Sequence, residues 1–208
     1  LGQGRIFDLS QEFVTCNPVT PPEHWFVIGG MDFGWDHPQA QIKLLEDRDN
    51  GMFYVCNEWA CAEVSANEAW GATKSWQEGV PVAWPHDGLQ HEKGRDDAKQ
   101  QKSHYEKAGF SLLTSHATWP EGGNSVENGI YELRDLMAKG KFKVFAGLTG
   151  WLDEFLQYHR NENGKIVKVR DDRLDATRYA YMMRRHAKRV GDIGVNKVYR
   201  RRKRRDWA

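Results

Sequence analysis

Apolar and polar positions mark out a recognisable series of elements along the chain. Trp25-Phe26-Val27-Ile28-Gly29-Gly30-Met31 is an unbroken apolar and glycine run that stops at Asp32-Phe33-Gly34, the pattern of a buried strand with an acidic residue at its end. Asp36-His37-Pro38 marks a turn, and Gln39 to Glu46 carries Ile42, Leu44 and Leu45. Asp49-Asn50-Gly51 is a tight-turn signal, after which Met52 to Trp59 reads as another strand. Strands joined in sequence by short turns predict an antiparallel meander.

Ser65 followed three residues later by Glu68 has the form of a capping box and predicts a helix over Ala66 to Gln77, stopped by Gly79. Pro81-Val82-Ala83-Trp84-Pro85 predicts a short strand that delivers His86-Asp87-Gly88 at its end, so the first pattern recurs. Arg95 to Ala108 reads as a polar helix closed by Gly109, and Phe110 to Thr114 as a strand, a spacing that suits a β-α-β unit with parallel strands. Beyond the Glu121-Gly122-Gly123 loop, Val126 to Ala138 predicts a helix with Ile130, Leu133, Leu136 and Met137 on its apolar face. Phe142 to Phe145 is expected as a short segment beside the core and Leu152 to His159 as a helix. Lys165 to Val169, after the turn at Asn163-Gly164, is expected as one arm of a hairpin. The last helix is expected from Asp172 to about Lys188, with residues 172, 175, 179, 182 and 186 on one face.

An ionised carboxylate leaving an apolar run is too costly to bury unless it is paired or binds a cation. Asp32 and Asp87 sit at strand ends, and Asp172 and Asp175 share a helical stripe with Tyr179 and Met182. Taken singly, an Asp after a strand also reads as a turn former, and Asp172 as a helix N-cap. Asp175, inside the helix on the apolar stripe, has the strongest position. Hard cations such as Mg²⁺ or Mn²⁺ prefer oxygen ligands. Two of them about 3.5–4 Å apart can activate the attacking water and stabilise the leaving oxygen of a phosphodiester. Asp32, Asp87, Asp172 and Asp175 would supply such a cage, with His86 beside Asp87 as an auxiliary candidate.

Composition changes the picture at the chain's ends. The 208 residues suffice for one domain with a full core, and 39% hydrophobic with 28% charged side chains is ordinary for a globular protein. The longest apolar runs fall far short of the ~20 residues of a membrane helix, so no transmembrane segment and no signal peptide is expected. Cys16, Cys56 and Cys61 lack the spacing of a zinc site or a disulfide framework, which fits a reducing compartment. Net charge is only +1, yet residues 178–208 hold twelve Lys and Arg against Asp192 and Asp206, leaving an acidic body and a basic tail. Arg200-Arg201-Arg202-Lys203-Arg204-Arg205 is dense enough for a phosphate-binding arm. Gly2 to Pro22 shows little periodicity and reads as a connector cut from a longer protein. Of the nine tryptophans, Trp35 and Trp119 fall in expected loops where they could meet a ligand.

Over roughly Ile28 to Arg185 the sequence resembles the C-terminal nuclease domain of the large terminase subunit of tailed bacteriophages. The resemblance rests on Asp32-Phe33-Gly34, on Trp84-Pro85-His86-Asp87-Gly88, and on Asn128 to Arg134 before Gly140-Lys141-Phe142-Lys143-Val144. Its most specific part is Asp153-Glu154-Phe155-Leu156-Gln157-Tyr158, then Lys165-Ile166-Val167, then Asp172-Arg173-Leu174-Asp175-Ala176-Thr177-Arg178-Tyr179-Ala180. It implies an α/β, ribonuclease H-like fold, a mixed β-sheet flanked by helices on both faces. It also implies an endonuclease that binds two divalent ions, Mg²⁺ or Mn²⁺, and cuts concatemeric double-stranded viral DNA during packaging. Asp32, Asp87 and Asp175 match the family's catalytic acids, and Asp172 stands where such proteins often carry a histidine or another polar ligand.

Further implications of the resemblance are an upstream ATPase domain, the portal protein and the small terminase subunit as partners, and action in the packaging complex in the host cytoplasm rather than in the mature virion. No Gly-x-x-x-x-Gly-Lys-Ser/Thr loop is present, so this chain is not the motor. The expected division is 1–23 as connector from that ATPase domain, 24–190 as nuclease domain and 191–208 as basic tail, for DNA or portal. The alternatives are a non-catalytic portal- or DNA-docking module, and another ribonuclease H-like nuclease such as a resolvase.

Overall fold

Alternation along β2 (Phe26–Asp32) decides which side of the sheet the acidic residue faces. Val27, Gly29 and Met31 point to one face and Ile28, Gly30 and Asp32 to the other. The computed structural model describes residues 4–89 and 101–194. β2 pairs antiparallel with β3 (Gln39–Asp47), and β3 with β4 (Met52–Cys61), the meander that the short turns predict. β5 (Pro81–Ala83) lies parallel to β2 on its other side, and β6 (Ser111–Leu112) parallel to β5. Beyond β4 the order continues through β7 (Phe142–Phe145) to β1 (Thr15–Cys16), both parallel additions. β8 (Lys188–Arg189) pairs antiparallel with the start of β2. The result is a mixed sheet with helices on both faces, as expected from the sequence.

One face carries α2 (Ala66–Gln77) and α3 (Gln101–Ala108), where Met31, Val82, Trp84, Ala69, Tyr105 and Phe110 pack together. The capping box of α2 forms as written in the sequence: Glu68 N–H donates to Ser65 Oγ, and Ser65 N–H to Glu68 Oε2 at 2.8 Å. The start expected for the next helix at Arg95 lies outside the described residues.

The opposite face carries α4 (Val126–Ala138), α5 (Thr149–Gln157) and α6 (Asp172–Met182), packed on Ile28, Ile42, Leu44, Val55 and Val144. α6 lies directly on β2: a Cβ at Gly30 would meet the Ala176 carbonyl oxygen at 1.9 Å, so only glycine permits this approach. That contact sets the acidic start of α6 beside the acidic end of β2.

Four local expectations differ from the structure. Phe142–Phe145 is a buried parallel strand inside the sheet rather than a segment beside the core, because it fills the row between β4 and β1. The hairpin arm is reduced to one antiparallel bridge, Arg160 with Ile166. The last helix ends at Met182, not near Lys188, since the chain must turn to add β8 to the sheet. Arg184 and Arg185 donate to the Tyr181 and Met182 carbonyls at 3.0 and 2.9 Å, satisfying the helix's last acceptors. The N-terminal segment is packed into the fold: Ile6, Phe7 and Val14 are core residues, and the short helix α1 (Gln11–Val14) leads into β1.

Candidate functional site

Three local devices deliver the four acidic residues. Asp32 is the last residue of β2 and, by alternation, faces α6. Asp87 sits in a 3₁₀ turn over His86–Leu89 after β5, exposed at the sheet's carboxyl edge. That turn packs tightly: a Cβ on Gly88 would stand 2.4 Å from the Phe33 ring, so glycine lets the Asp87 turn close against the residue following Asp32. Asp172 and Asp175 occupy the first turn of α6 and are 8% and 7% exposed.

The charges converge. Burial raises the Asp32 carboxyl well above the usual carboxylate range, and the nearby carboxylates of Asp175, Asp87 and Asp172 raise it further, with Arg178 opposing them. Asp87 reaches solvent, yet the protein crowded around its carboxyl raises it too, against its own backbone amide and that of Gly88, His86 and His37. Asp172 is raised by burial and held back by His37, whose Nδ1 lies 3.2 Å from Asp172 Oδ1. Asp171, just before the helix, is pushed up to about 6 by burial and by Asp175, and its buried Oδ2 has no hydrogen-bond partner. The Tyr179 hydroxyl is raised by burial and by Asp32 and Asp175.

One cation is built into the cluster. Arg178 Nη2 lies 3.0 Å from Asp175 Oδ1, one helical turn away, and the pair is almost fully buried. Burial works against the Arg178 charge, but Asp175 and Tyr179 outweigh it and raise its pKa. The stem of Arg178 lies in a slot over α4, where a Cβ on Gly129 would meet Arg178 Cδ at 2.4 Å. His86 stacks edge to face with His116, ring centroids 4.8 Å apart, on the Asp87 side of the cluster.

The donor set fits a hard divalent cation. It offers carboxylate oxygens from a strand end, a 3₁₀ turn and a helix, with more negative charge than Arg178 can neutralise and with an orphaned buried oxygen on Asp171. The cage is nonetheless open. Among the described residues, the group of ligand-type side chains whose ligand atoms all lie within 4.8 Å of one another is elsewhere, His24, Asp47 and Asp49. There the Asp47 oxygens already accept from Asp49 N–H and from the Asn50 backbone and side-chain amides, which makes it a β3–β4 turn.

The structure therefore brings Asp32, Asp87, Asp172 and Asp175 to one end of the sheet, with His86 at the margin. The basic run Arg200, Arg201, Arg202, Lys203, Arg204 and Arg205 lies outside the described residues. Of the two loop tryptophans, Trp35 is 60% exposed in the loop after Asp32, whereas Trp119 is buried, with its indole N–H directed at the Ser125 carbonyl. Sequence reasoning misses His37, Asp171 and Arg178. Arg178 alone carries a readable signal, its spacing of three from Asp175 on the same helix.

Comparison with known proteins bears on the same stretch. The model of the "Terminase RNaseH-like domain" family matches residues 29–184. Over 193 residues, 93% of the chain, the sequence is 56% identical to the terminase large subunit of Salmonella phage P22, of whose length it spans 38%. The fold is similar to the solved P22 large terminase nuclease domain with a TM-score of 0.87, covering 93% of this chain and 98% of that one at 56% identity. It is also similar in fold to the large terminase nuclease domain of bacteriophage SPP1, solved with bound Mn: TM-score 0.53, 20% identity, covering 76% of this chain and 86% of that one.

Proposed function

Because this chain belongs to the terminase RNaseH-like domain family, we propose that it is a divalent-metal-dependent endodeoxyribonuclease that cuts concatemeric double-stranded viral DNA during genome packaging. One observation carries the reading: the Asp32 carboxyl, at the end of a buried strand, sits amid the charges of Asp175, Asp87 and Asp172. Asp32 would hold both of two cations, Asp87 and Asp175 would complete the separate sites, and Asp172 would serve as an auxiliary ligand. Mg²⁺ or Mn²⁺ fits the oxygen donors, and Mn in the SPP1 domain supports that choice. When bound, such cations supply activation of the attacking water and charge stabilisation at the leaving oxygen.

The chain's own residues hold this arrangement in place. Arg178 fixes Oδ1 of Asp175, and His37 approaches Oδ1 of Asp172, so the second oxygen of each carboxylate lies outside these two contacts. Direct attack by water leaves no covalent enzyme intermediate. The relatives' greater length supports an upstream ATPase domain in the same polypeptide, with the packed N-terminal segment counted in the nuclease unit up to residue 190 and 191–208 as a tail for DNA or the portal protein. With the small terminase subunit these would form the packaging complex inside the host; among the described residues no helix is long and apolar enough to cross a membrane.

The test is plasmid cleavage in Mg²⁺ or Mn²⁺ by the wild type, Asp32→Asn and Asp175→Asn. Both variants are expected to lose at least about 100-fold in rate, the scale of removing one charge-stabilising group from a reaction centre. Equal cleavage by all three proteins overturns the assignment.

A further inference from the structure

The first turn of α6 carries two of the four acidic residues, yet the side chain of its N-cap, Asp171, does nothing for it. Asp171 makes no side-chain cap hydrogen bond, and a helix start leaves its first amide groups without intrahelical acceptors. The missing acceptor comes from another helix. Glu154, in the last turn of α5 and only 3% exposed, accepts the backbone N–H of Arg173 at 2.8 Å and of Leu174 at 3.1 Å through Oε2. Its Oε1 accepts from Arg173 Nη1 at 2.8 Å. Arg173 Nε lies 2.8 Å from Glu58 Oε2 of β4, an ion pair without hydrogen-bond alignment, and Glu58 Oε1 accepts the Gly150 N–H at 2.9 Å. The guanidinium lies against Gly150, where a Cβ would stand 2.6 Å from Arg173 Cζ.

Glu58, Arg173, Glu154 and the glycine at the start of α5 thus form one bracket tying β4, α5 and α6 together. A buried ion-pair network is a poor way to gain stability, since apolar packing of the same volume does as well or better. What this one does is fix the backbone of residues 173 and 174, between Asp172 and Asp175. Glu154 also places negative charge at the positive end of the helix dipole.

We propose that this bracket is a positioning device for the cation site: it sets the height and rotation of the first turn of α6, and so places Asp172 and Asp175 opposite Asp32. The inference rests on the reading above that these aspartates hold divalent cations. Glu154 itself meets neither DNA nor cation, and acts through the backbone it caps. Glu154→Gln keeps the side chain's shape but turns one acceptor oxygen into a donor that faces N–H groups. Gly150→Ala disturbs the same bracket from the other side, by crowding Arg173.

The test titrates Mn²⁺ into the full 208-residue chain without DNA, by calorimetry, for the wild type and both variants, with folding checked by circular dichroism. Both folded variants should bind Mn²⁺ about 10- to 100-fold more weakly, the usual effect of losing an outer-shell partner. Saturating Mn²⁺ should recover most of kcat, and KM for DNA should stay unchanged. A folded Glu154→Gln chain that binds Mn²⁺ within about twofold of the wild type overturns the bracket's role; should that variant not fold, Gly150→Ala decides by the same criterion. A wild type that binds no Mn²⁺ overturns the underlying reading, and the bracket's role with it.

Discussion

At the scale of single residues, Arg178 holds the site together when no external cation does. Its charge is buried against Asp175, its stem fills the slot over Gly129, and it opposes the excess of carboxylates around Asp32. Arg178→Met keeps the stem's bulk and removes the charge, leaving Asp175 buried and unpaired. Such truncation of one partner of a buried pair typically costs about 3–5 kcal/mol. Urea melts should show a loss of that size in chelator and recover much of it in Mn²⁺; a loss that Mn²⁺ leaves untouched means that Arg178 acts through packing alone. The acidic residues themselves are legible in the sequence because a carboxylate ending an apolar run is anomalous in one dimension. His37 is not, since its partner Asp172 lies 135 residues away and nothing local links them.

At the scale of elements, what carries a local signal is readable and what depends on distant pairing is not. The Asp32 strand, the Ser65–Glu68 capping box and the α4 helix emerge from runs, spacing and caps within a few residues. β7 is only a short apolar stretch until β4 and β1 flank it. α6 is buried on nearly every side, from Leu174 and Asp175 to Tyr181 and Met182, so a single stripe understates it, and its end is set by β8. The N-terminal segment shows no periodicity because it contributes isolated anchors rather than a helix face. Phe7 is 1% exposed and stacks on Phe155 at 5.5 Å and on Tyr158 at 5.8 Å, both in the stretch that carries the terminase resemblance. Phe7→Ala is expected to lower unfolding free energy by about 3–5 kcal/mol in a denaturant series. A change below about 1 kcal/mol means that residues before α1 are an attachment to the fold rather than part of it.

At the scale of the whole molecule, the acidic end of the sheet is expected to make stability depend on pH and, on the proposed function, on divalent cations as well. Asp32, Asp87, Asp171 and Asp172 all have carboxyl groups raised by burial, Asp171 to about 6, and burial lifts Glu154 to about 7 against Arg173 and the amides it accepts. A carboxyl raised on folding binds its proton more tightly in the folded chain than in the unfolded one. Its folded form is therefore favoured at low pH, and that advantage is lost as pH rises from the unfolded value of about 4 through the folded value. The proposed cation would reverse the sign, because it would bind the ionised carboxylates and so stabilise the folded chain increasingly as they deprotonate. Asp32→Asn removes one of the competing charges. In chelator the melting temperature of Asp32→Asn minus that of the wild type should be positive and should widen between about pH 5 and pH 7. In saturating Mn²⁺ the same difference should change sign at neutral pH, because the variant has lost the oxygen that the cation uses while the wild type gains its binding energy. Thermal melts across that range, with and without Mn²⁺, read both effects. A difference that stays flat with pH and is indifferent to Mn²⁺ means that Asp32 is a turn residue at a strand end and not the centre of a charged cluster.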